Sequence, residues 1–380
     1  MKIIIAPQSF KGSLTAKQAV KHIADAVHEI FPKSEIVELP IADGGDGTLQ
    51  TLVDATGGKI KKTKVLNPLG INIESEWGLL GDNNKTAVIE MARSSGLALL
   101  DRKHLNPMIA SSYGTGQLIL EAVTNGCEKI ILGIGGSATN DCGVGAARSV
   151  GFKFLDAKNQ AVSNDVFTFN KIVNIDRSSV DTRIADIDFE VACDVTNTLC
   201  GKEGASFIYG PQKGASQSQV QILDKSLKHV ASEIKKNLGV DVIDLEGGGA
   251  AGGMGAGMVA FFNAKLRPGV DIIFDALDVE RKVMDSDLII TGEGQFDISS
   301  TYNKAPTAIG KIGMKYKIPT IGLCGSFGNG FEKLDEFGVI AKSSIINNVS
   351  DLETNMKNAG NLLTIAAREQ LKAIRLGMNL

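Results

Sequence analysis

Short apolar runs alternate with amphipathic segments at the beginning of the chain. Ile3 to Ala6 is a short, continuous and β-branched run, which is typical of a buried strand. Thr15 and Gln18 then form a T-x-x-Q capping box, and apolar residues from there to Ile30 share one helical face. Glu35 to Leu39 is the next strand-like run. A strand, a helix and a second strand in this order predict a parallel sheet.

The last third of the chain returns to the same rhythm. Strands are predicted at Asp287 to Thr291, Pro319 to Cys324 and Val339 to Ser343, with a helix from Lys304 to Tyr316. Together with the two strands near the start, these segments supply five strands for one parallel sheet. We therefore predict that both ends of the chain build a single flavodoxin-like domain.

The middle of the chain has a different pattern. Three strand-like runs at residues 59–66, 71–79 and 86–90 are joined by Asn-Pro and Gly-Asp-Asn-Asn turns, which predicts antiparallel strands. The predicted fold is therefore α/β with two α/β domains. These are a flavodoxin-like parallel-sheet domain at residues 1–58 and 284–380, and an inserted mixed α/β domain at residues 59–283.

The most informative stretch is KIILGIGGSATNDCGVG, which starts at Lys129. An apolar run leads directly into Gly135-Gly136-Ser137, and a helix is predicted from about Asp141. Glycines allow close backbone approach, and a strand, a glycine turn and a helix are a geometry that grips an anion. Asp141 could also hold a metal ion. The alternative is an ordinary strand-to-helix turn that Ser137 or Thr139 caps.

Other polar residues follow predicted strands or sit in glycine-rich segments. Ser9 and Lys11 come after the first strand, at the edge where open α/β sheets bind ligands. Asp43 and Asp46 bracket two glycines ahead of a helix, so they fit a magnesium or hydroxyl site, or merely stabilise the helix dipole. The glycine-rich run at 247–258 predicts either very close helix packing or a backbone nest for an anion.

Composition excludes several classes of function. The formal net charge is −3 and no long basic run occurs, so no nucleic-acid partner is expected. The five cysteines form no C-x-x-C pair, which favours free thiols in a reducing compartment. No run approaches about 18 apolar residues. We therefore expect a cytoplasmic protein with no membrane partner.

The common catalytic signatures are missing. The sequence has no G-x-S-x-G, H-E-x-x-H or G-x-x-x-x-G-K-[ST] motif, and no G-x-G-x-x-G follows the first strand. Three of its four histidines lie in predicted helices, so histidine base chemistry is disfavoured. The glycine loops instead carry Asp, Glu, Ser, Thr and Lys, which are the residues that phosphoryl transfer uses. The residues alone therefore predict phosphoryl transfer to a small polar substrate and do not name the substrate.

The chain also resembles the type I glycerate kinases of bacteria. The motifs that carry the resemblance span nearly the whole chain in the family order, and GIGGSATND with GPQKGA is the most specific pair. They include SFKGSL from Ser9, GIGGSATND from Gly133, ACDVTN from Ala192, GPQKGA from Gly210 and TGEG from Thr291. The resemblance implies phosphorylation of D-glycerate by ATP and Mg²⁺, mostly to 2-phosphoglycerate. It also implies two α/β domains with a cleft between them, and a homodimer is a possible assembly.

The resemblance implies site residues by matching position. Lys11 and Lys213 would neutralise phosphate or the substrate carboxylate, Asp194 or Asp297 would be the base or a magnesium ligand, and Gly135-Gly136-Ser137 would cradle phosphate. The catalytic candidates are Lys11, Asp194, Lys213 and Asp297. The candidates for binding substrate or nucleotide are Ser9, Asp43, Asp46, Gly135, Gly136, Ser137, Asn140, Asp141, Glu293 and Lys304, and those for metal are Asp194 and Glu293.

This chain departs from the family pattern at four positions. Gln8 and Gln295 replace a usual Asp and Arg, while Ser299 and Asn303 replace a usual Gln and Gly. If the Asp and Arg form a pair in the family, replacing both avoids an orphaned charge. These departures motivate one alternative, a catalytically weak relative that binds a sugar acid or nucleotide as a sensor. A dinucleotide-dependent oxidoreductase is a further alternative, which the missing fingerprint disfavours.

Overall fold

Strands and helices alternate along most of the chain in the computed structural model, which describes residues 1–42, 47–302 and 304–378. The strands are β1 (Lys2–Pro7), β2 (Glu35–Glu38), β3 (Lys59–Leu66), β4 (Asn72–Leu79), β5 (Thr86–Glu90), β6 (Lys129–Gly133), β7 (Lys153–Leu155), β8 (Asn174–Asp176), β9 (Asp188–Ala192), β10 (Lys265–Arg267), β11 (Leu288–Phe296), β12 (Thr320–Phe327) and β13 (Val339–Ser344).

The helices range from single turns to a helix of 22 residues. They are α1 (Ala16–Ile30), α2 (Thr48–Thr56), α3 (Ala92–Ser95), α4 (Tyr113–Thr124), α5 (Val144–Ser149), α6 (Ala205–Tyr209), α7 (Gln217–Leu238), α8 (Ala250–Phe262), α9 (Gly269–Ala276), α10 (Val279–Val283), α11 (Ala305–Tyr316), α12 (Leu352–Lys357) and α13 (Ala359–Gly377). No helix among the described residues is long and apolar enough to cross a membrane.

Two compact units, each dense in internal contacts, make up the chain. The first comprises Met1–Asp43 and Ile273–Leu380, and the second comprises Gly44–Ile272. The sequence predicted boundaries near residues 58 and 283, whereas α2 falls in the second unit. Leu49 and Val53 of α2 pack onto Gly78 of β4, and the backbone N–H of Leu49 donates to the Glu90 carboxylate of β5. These contacts tie α2 to the second sheet.

The first unit is a five-stranded sheet in the order β13-β12-β11-β1-β2, and all its neighbouring strands are parallel. Ile4 is in register with Ile289, and Ile290 with Ile321. Counted within this unit, the strand order is 2-1-3-4-5, which is the flavodoxin-like order. The predicted sheet built from both chain ends is therefore confirmed.

Apolar contacts explain why this sheet forms. Ile3, Ile5 and Leu323 of the strands join the buried faces of α1 and α13 in one hydrophobic cluster. The predicted capping box starts α1, because the Thr15 side chain accepts from the Gln18 backbone and the Gln18 side chain accepts from the Thr15 backbone. The strand order reverses between β1 and β11, and this switch point is where ligands bind in such sheets.

The second unit contains a mixed six-stranded sheet in the order β10-β9-β6-β5-β4-β3. β5, β6, β9 and β10 are parallel, while β3, β4 and β5 form the antiparallel part that the sequence predicted. β7 and β8 make a separate antiparallel pair. The inserted domain is therefore mixed α/β, as predicted. Since β6 pairs with β9 in parallel, the loops that follow both strands emerge at one edge.

Two elements differ from their predicted bounds near the candidate residues. β11 continues to Phe296, well past the predicted end at Thr291, because Gln295 and Phe296 still pair with β12. α5 begins at Val144 rather than near Asp141, because Cys142 and Gly143 adopt left-handed φ values of 54° and 67°. The first difference places more of the TGEG motif in the strand, and the second leaves Asp141 in the loop that precedes the helix.

Candidate active site

The loop after β6 carries the glycine motif. Gly135 and Gly136 are exposed, and Ser137 is buried. The Leu97 N–H donates to the Gly136 carbonyl at 2.9 Å, which anchors the loop from the side. Within the described residues no backbone hydrogen bond uses the N–H groups of Gly135 and Gly136. An exposed glycine backbone with free donors suits a phosphate or carboxylate.

Asp141 lies inside the second unit, only 1% exposed. Its Oδ2 accepts from the backbone N–H and hydroxyl of Ser112, both at 2.8 Å, and from Gly145 N–H at 3.2 Å. Its Oδ1 accepts from Gly143 N–H at 3.3 Å. Burial raises the pKa of this carboxyl, although its hydrogen bonds act in the opposite direction. The carboxylate therefore holds the loop to the start of α5 with its own oxygens occupied.

Lys213 is also buried in this unit. Its Nζ donates to Ser137 Oγ at 2.8 Å and to the Thr139 carbonyl at 2.6 Å. The side chain comes from the short 3₁₀ turn Pro211–Lys213. Burial lowers the pKa of Lys213 to about 7, while the charge of Asp141 acts to raise it. The lysine reaches the glycine motif from the inside of the unit.

Asn140 and Thr139 complete the buried part of the motif. Asn140 Nδ2 donates to Ser206 Oγ at 3.0 Å. Among the described residues, Thr139 Oγ1 and Asn140 Oδ1 have no hydrogen-bond partner. A buried polar atom of this kind normally finds a partner in water or a ligand. The site therefore retains hydrogen-bonding capacity beside Ser137 and Lys213.

The glycine-rich run at 247–258 packs directly behind this loop. Gly252 has a φ of +73°, and a Cβ placed there would lie 2.1 Å from the Thr139 carbonyl oxygen. The Gly252 carbonyl accepts from the Cys142 N–H at 3.1 Å. The sequence predicted either very close packing or a backbone nest for an anion in this run. These contacts support the close packing. The run supports the candidate loop from behind.

Asp194 follows β9. It lies two residues beyond Ala192, the β9 residue that pairs with Gly133 of β6. It is exposed, and its Oδ1 accepts from the Gly269 N–H at 2.9 Å. Asp194 and the glycine loop therefore belong to the carboxyl ends of neighbouring parallel strands. That edge is where open α/β sheets place functional groups.

In the first unit, Ser9 and Lys11 are exposed on the turn after β1. The Phe10 N–H donates to the Leu14 carbonyl at 2.9 Å, which closes the turn. A Cβ on Gly294 of β11 would lie 3.2 Å from the Lys11 backbone nitrogen. The turn therefore rests on β11 at the switch point of the sheet.

Glu293, Asp297 and Lys304 lie close together through two adjacent serines. Ser299 Oγ donates to Asp297 Oδ1 at 2.6 Å, and Lys304 Nζ donates to Ser299 Oγ at 2.9 Å. Ser300 Oγ donates to Glu293 Oε1. The hydrogen bond from Ser299 and the charge of Lys304 lower the pKa of Asp297. Asp297 is therefore an ionised carboxylate at neutral pH.

The candidates thus form one group in each unit. The first group is Ser9, Lys11, Glu293, Asp297 and Lys304, and the second is Gly135, Gly136, Ser137, Asn140, Asp141, Asp194 and Lys213. Asp43, Asp46 and Asn303 lie outside the described residues. The Gln8 N–H donates to the Gly292 carbonyl at 2.8 Å, and Gln295 is exposed on β11. That the Asp and Arg of the family pattern form a pair at these two positions stays a prediction.

Residues that the sequence analysis left aside prove important for the loop. Ser112 donates to Asp141, and its own Oγ accepts from the Ala146 N–H at 3.0 Å. Thr115 donates to Ser95 at 2.8 Å beneath the same loop. These residues belong to the polar stretch SSYGTGQ. Its run of small and hydroxyl residues ahead of a helix was the signal that could have revealed them.

A parallel sheet with an anion-suited glycine loop, lysines and carboxylates at its carboxyl edges is typical of phosphotransferases. The sequence profile of the glycerate kinase family matches residues 3–375. The chain belongs to the glycerate kinase family, and it is therefore a kinase. This confirms the resemblance seen in its motifs and leaves the oxidoreductase alternative without support.

Individual relatives cover nearly the whole chain. A glycerate kinase from Halalkalibacterium halodurans is 44% identical over 366 residues, which is 96% of each chain. A glycerate 2-kinase from Escherichia coli K12 is 42% identical over 378 residues, covering 100% of this chain and 99% of the relative. A crystal structure described as a glycerate kinase 2 from Salmonella typhimurium LT2 has a TM-score of 0.92 at 42% identity, covering 100% of both chains.

Proposed function

We propose that this protein transfers the γ-phosphoryl group of ATP to D-glycerate and forms 2-phosphoglycerate. The observation that carries the proposal is the 42% identity, over 378 residues, to the Escherichia coli protein named glycerate 2-kinase. The cleft between domains that the resemblance implies stays a prediction, as do a homodimer and a cytoplasmic location.

The reaction moves one phosphoryl group and one proton. The hydroxyl oxygen of glycerate attacks the γ-phosphorus, the bond from that phosphorus to the β–γ bridging oxygen breaks, and the hydroxyl proton passes to a carboxylate. Asp297 or Asp194 accepts that proton in our proposal. Asp297 is ionised at neutral pH, since its pKa is lowered, and Asp194 is exposed at the end of β9.

Positive charge and backbone donors stabilise the anionic groups. Lys11 is exposed, and its amino group is free to meet a phosphate or the glycerate carboxylate. Lys304 lies beside Asp297 through Ser299 and adds a second cation in the same unit. The exposed backbone of Gly135 and Gly136 cradles phosphate in the other unit.

Mg²⁺ fits this donor set in the way that kinases usually hold it. Such sites use one or two carboxylates together with substrate phosphates, rather than a full cage of protein ligands. Within residues 1–42, 47–302 and 304–378, no three His, Cys, Asp or Glu side chains are grouped to cage a metal ion. Asp194 in the second unit and Glu293 in the first unit are the candidate carboxylates, and the one that binds the ion would place its charge beside the transferred group. The occupied oxygens of Asp141 make it a poor ligand.

The test is to incubate the purified protein with ATP, MgCl₂ and D-glycerate and identify the product by phosphorus NMR. We expect a 2-phosphoglycerate signal that requires all three additions. Lys11→Met should lower kcat/KM by about 100-fold, whereas Lys33→Met, an exposed lysine before β2, should not. A signal of 3-phosphoglycerate would overturn the proposed position. No turnover with D-glycerate bound would support the sensor alternative.

A further inference from the structure

Lys213 is buried, unlike a surface lysine that binds a ligand from solvent. Its side chain is only 2% exposed. The backbone around it is fixed, because Gly214 has a φ of +94° and a Cβ there would lie 2.6 Å from the Leu105 carbonyl oxygen. A long cationic side chain usually keeps its amino group in water. The amino group of Lys213 is instead directed into the second unit.

The two acceptors of this amino group lie in the same loop. Ser137 Oγ and the Thr139 carbonyl are two residues apart, at 2.8 and 2.6 Å from Nζ. No carboxylate among the described residues forms an ion pair with Lys213, and the buried Asp141 acts on it only through its charge. Lys213 therefore joins the GPQKGA turn to the GIGGSATND loop. A charge buried without a direct partner is costly, which points to a specific role.

The hydrogen bond to Ser137 constrains the hydroxyl hydrogen of that serine. When Lys213 is protonated, Ser137 Oγ accepts from its ammonium group, so the Ser137 O–H donates elsewhere. Among the described residues, the bond from Lys213 is the one hydrogen bond found for Ser137 Oγ. Ser137 directly follows the exposed Gly135 and Gly136. A donor fixed beside free backbone donors is suited to an anionic oxygen.

We propose that Lys213 is a positioning residue that holds the Ser137–Thr139 segment and orients the Ser137 O–H toward an anionic oxygen bound at Gly135-Gly136. The inference rests on the proposed function, because the anion is a phosphate of MgATP. Lys213 does not itself touch that phosphate. It differs in this from Lys11, whose amino group is exposed.

A double-mutant cycle in kcat/KM tests the route through Ser137. Ser137→Ala and Lys213→Met should each lower kcat/KM for MgATP by about 10- to 100-fold. The kcat/KM of the double variant should be no lower than that of the less active single variant, because both changes remove the same oriented donor. Ser137→Thr, which keeps the hydroxyl, should recover most of the activity. Lys225→Met, on the exposed face of α7, is the matched control and should match the wild type.

Fully multiplicative losses in the double variant would overturn the proposal, since they would mean that Lys213 and Ser137 act independently. The loss should also appear mainly in KM for MgATP, with KM for D-glycerate little changed. An equal rise in both would contradict a local role at the phosphate. Thermal unfolding of each variant establishes that it is folded.

Chemical labelling tests the same idea without variants or turnover. Reductive methylation of the wild-type protein, followed by peptide mass spectrometry, should modify Lys225 and leave Lys213 unmodified with or without MgATP. A Lys213 that is methylated readily and becomes protected by MgATP would contact the nucleotide directly, and the proposal would fail. Since this result does not depend on turnover, failure of the proposed reaction and failure of this inference are distinguishable.

Discussion

Asp141 and Lys213 of the second unit and their counterparts in the first, Asp297, Lys11 and Lys304, are the same kinds of amino acid in opposite environments. In the second unit, Asp141 and Lys213 are buried, and their polar atoms bond within the unit. In the first unit, Lys11 is exposed, and Asp297 and Lys304 are partly exposed. The pKa of Asp141 is raised by burial, whereas the pKa of Asp297 is lowered by the Ser299 hydrogen bond.

This difference separates two functions of charge in one enzyme. A buried charge whose bonds are all internal shapes the backbone, because moving it would leave several groups unpaired. A charge at the surface can exchange water for a ligand with little reorganisation. We infer that the second unit supplies a rigid anion-binding loop and that the first unit supplies adjustable charges.

The largest effect is expected for Asp297 of the first unit, where a substitution should reduce the activity of the enzyme. Asp297→Asn should lower kcat by at least about 100-fold, because it removes the negative charge that would accept the proton in the proposed reaction. Stability should change little, since both hydrogen bonds from Ser299 go to Oδ1, which Asn retains. Steady-state kinetics and thermal unfolding measure the two quantities. Wild-type turnover in this variant would remove Asp297 from the site and leave Asp194 as the candidate base.

The opposite pattern is expected for the buried carboxylate. Asp141→Asn should lower the free energy of unfolding by about 3 kcal/mol, because an amide NH₂ would face the N–H and O–H groups that now donate to the carboxylate. Urea unfolding measures this loss. The matched control is Asp186→Asn, an exposed aspartate, which should remain within about 0.5 kcal/mol of the wild type. Equal stabilities of the two variants would contradict the structural role of Asp141.

The fold was largely predictable because its signals are local and periodic. The strand at Ile3 to Ala6 is continuous and apolar, and the helix at Gln217–Leu238 has one apolar face with a capping box at Ser216. The failures lie where tertiary contacts override local signals. The strand predicted at Asp287 to Thr291 continues through Gly292 and Gly294 to Phe296, because it pairs with β12. The contact between α2 and Gly78 of the second sheet joins segments that are distant in sequence, so it leaves no local signal.

The motifs of the candidate site could be predicted from the sequence, but the roles of their residues could be predicted only in part. The residue types at Ser137, Asp141 and Lys213 indicated an anion site, yet nothing local distinguishes an exposed lysine from a buried one. Lys213 lies on the 3₁₀ turn, Ser206 of α6 bonds to Asn140, and Gly252 of α8 packs against Thr139, so the surroundings of the loop come from distant segments. Ser112 was overlooked for the same reason, since its partner Asp141 lies 29 residues away.

The charge of Lys213 should appear in the pH dependence of stability. Its pKa is about 7 in the folded state and near 10.4 in an unfolded chain, so the unfolded state binds more protons between these values. Stability contributed by this group therefore rises with pH from 7 upward, by at most about 1.4 kcal/mol per pH unit. Urea unfolding at pH 7, 8 and 9 should show this rise in the wild type relative to Lys213→Met. Parallel curves for the two proteins would mean that Lys213 is not desolvated.

The smallest effect concerns Ser299, where this chain departs from the family pattern. Ser299 Oγ links Asp297 to Lys304, and its backbone N–H also donates to Asp297 Oδ1 at 2.7 Å. Ser299→Ala removes only the hydroxyl, so we expect kcat/KM to fall by about 3- to 10-fold, equivalent to one ordinary hydrogen bond. Ser299→Thr keeps the hydroxyl and should recover the activity.

The same position allows the comparison between the units to be tested in one series. Ser299→Gln introduces the residue of the family pattern, whose longer side chain can reach past Asp297, so its activity should lie between those of the Ala and Thr variants. Ser163→Ala is a matched control, since Ser163 also donates to an aspartate, Asp165, but belongs to the second unit's surface. A loss above about 100-fold in Ser299→Ala would be too large for one hydrogen bond. Ser299 would then contact a substrate itself, and the first unit would rely on fixed geometry as the second does.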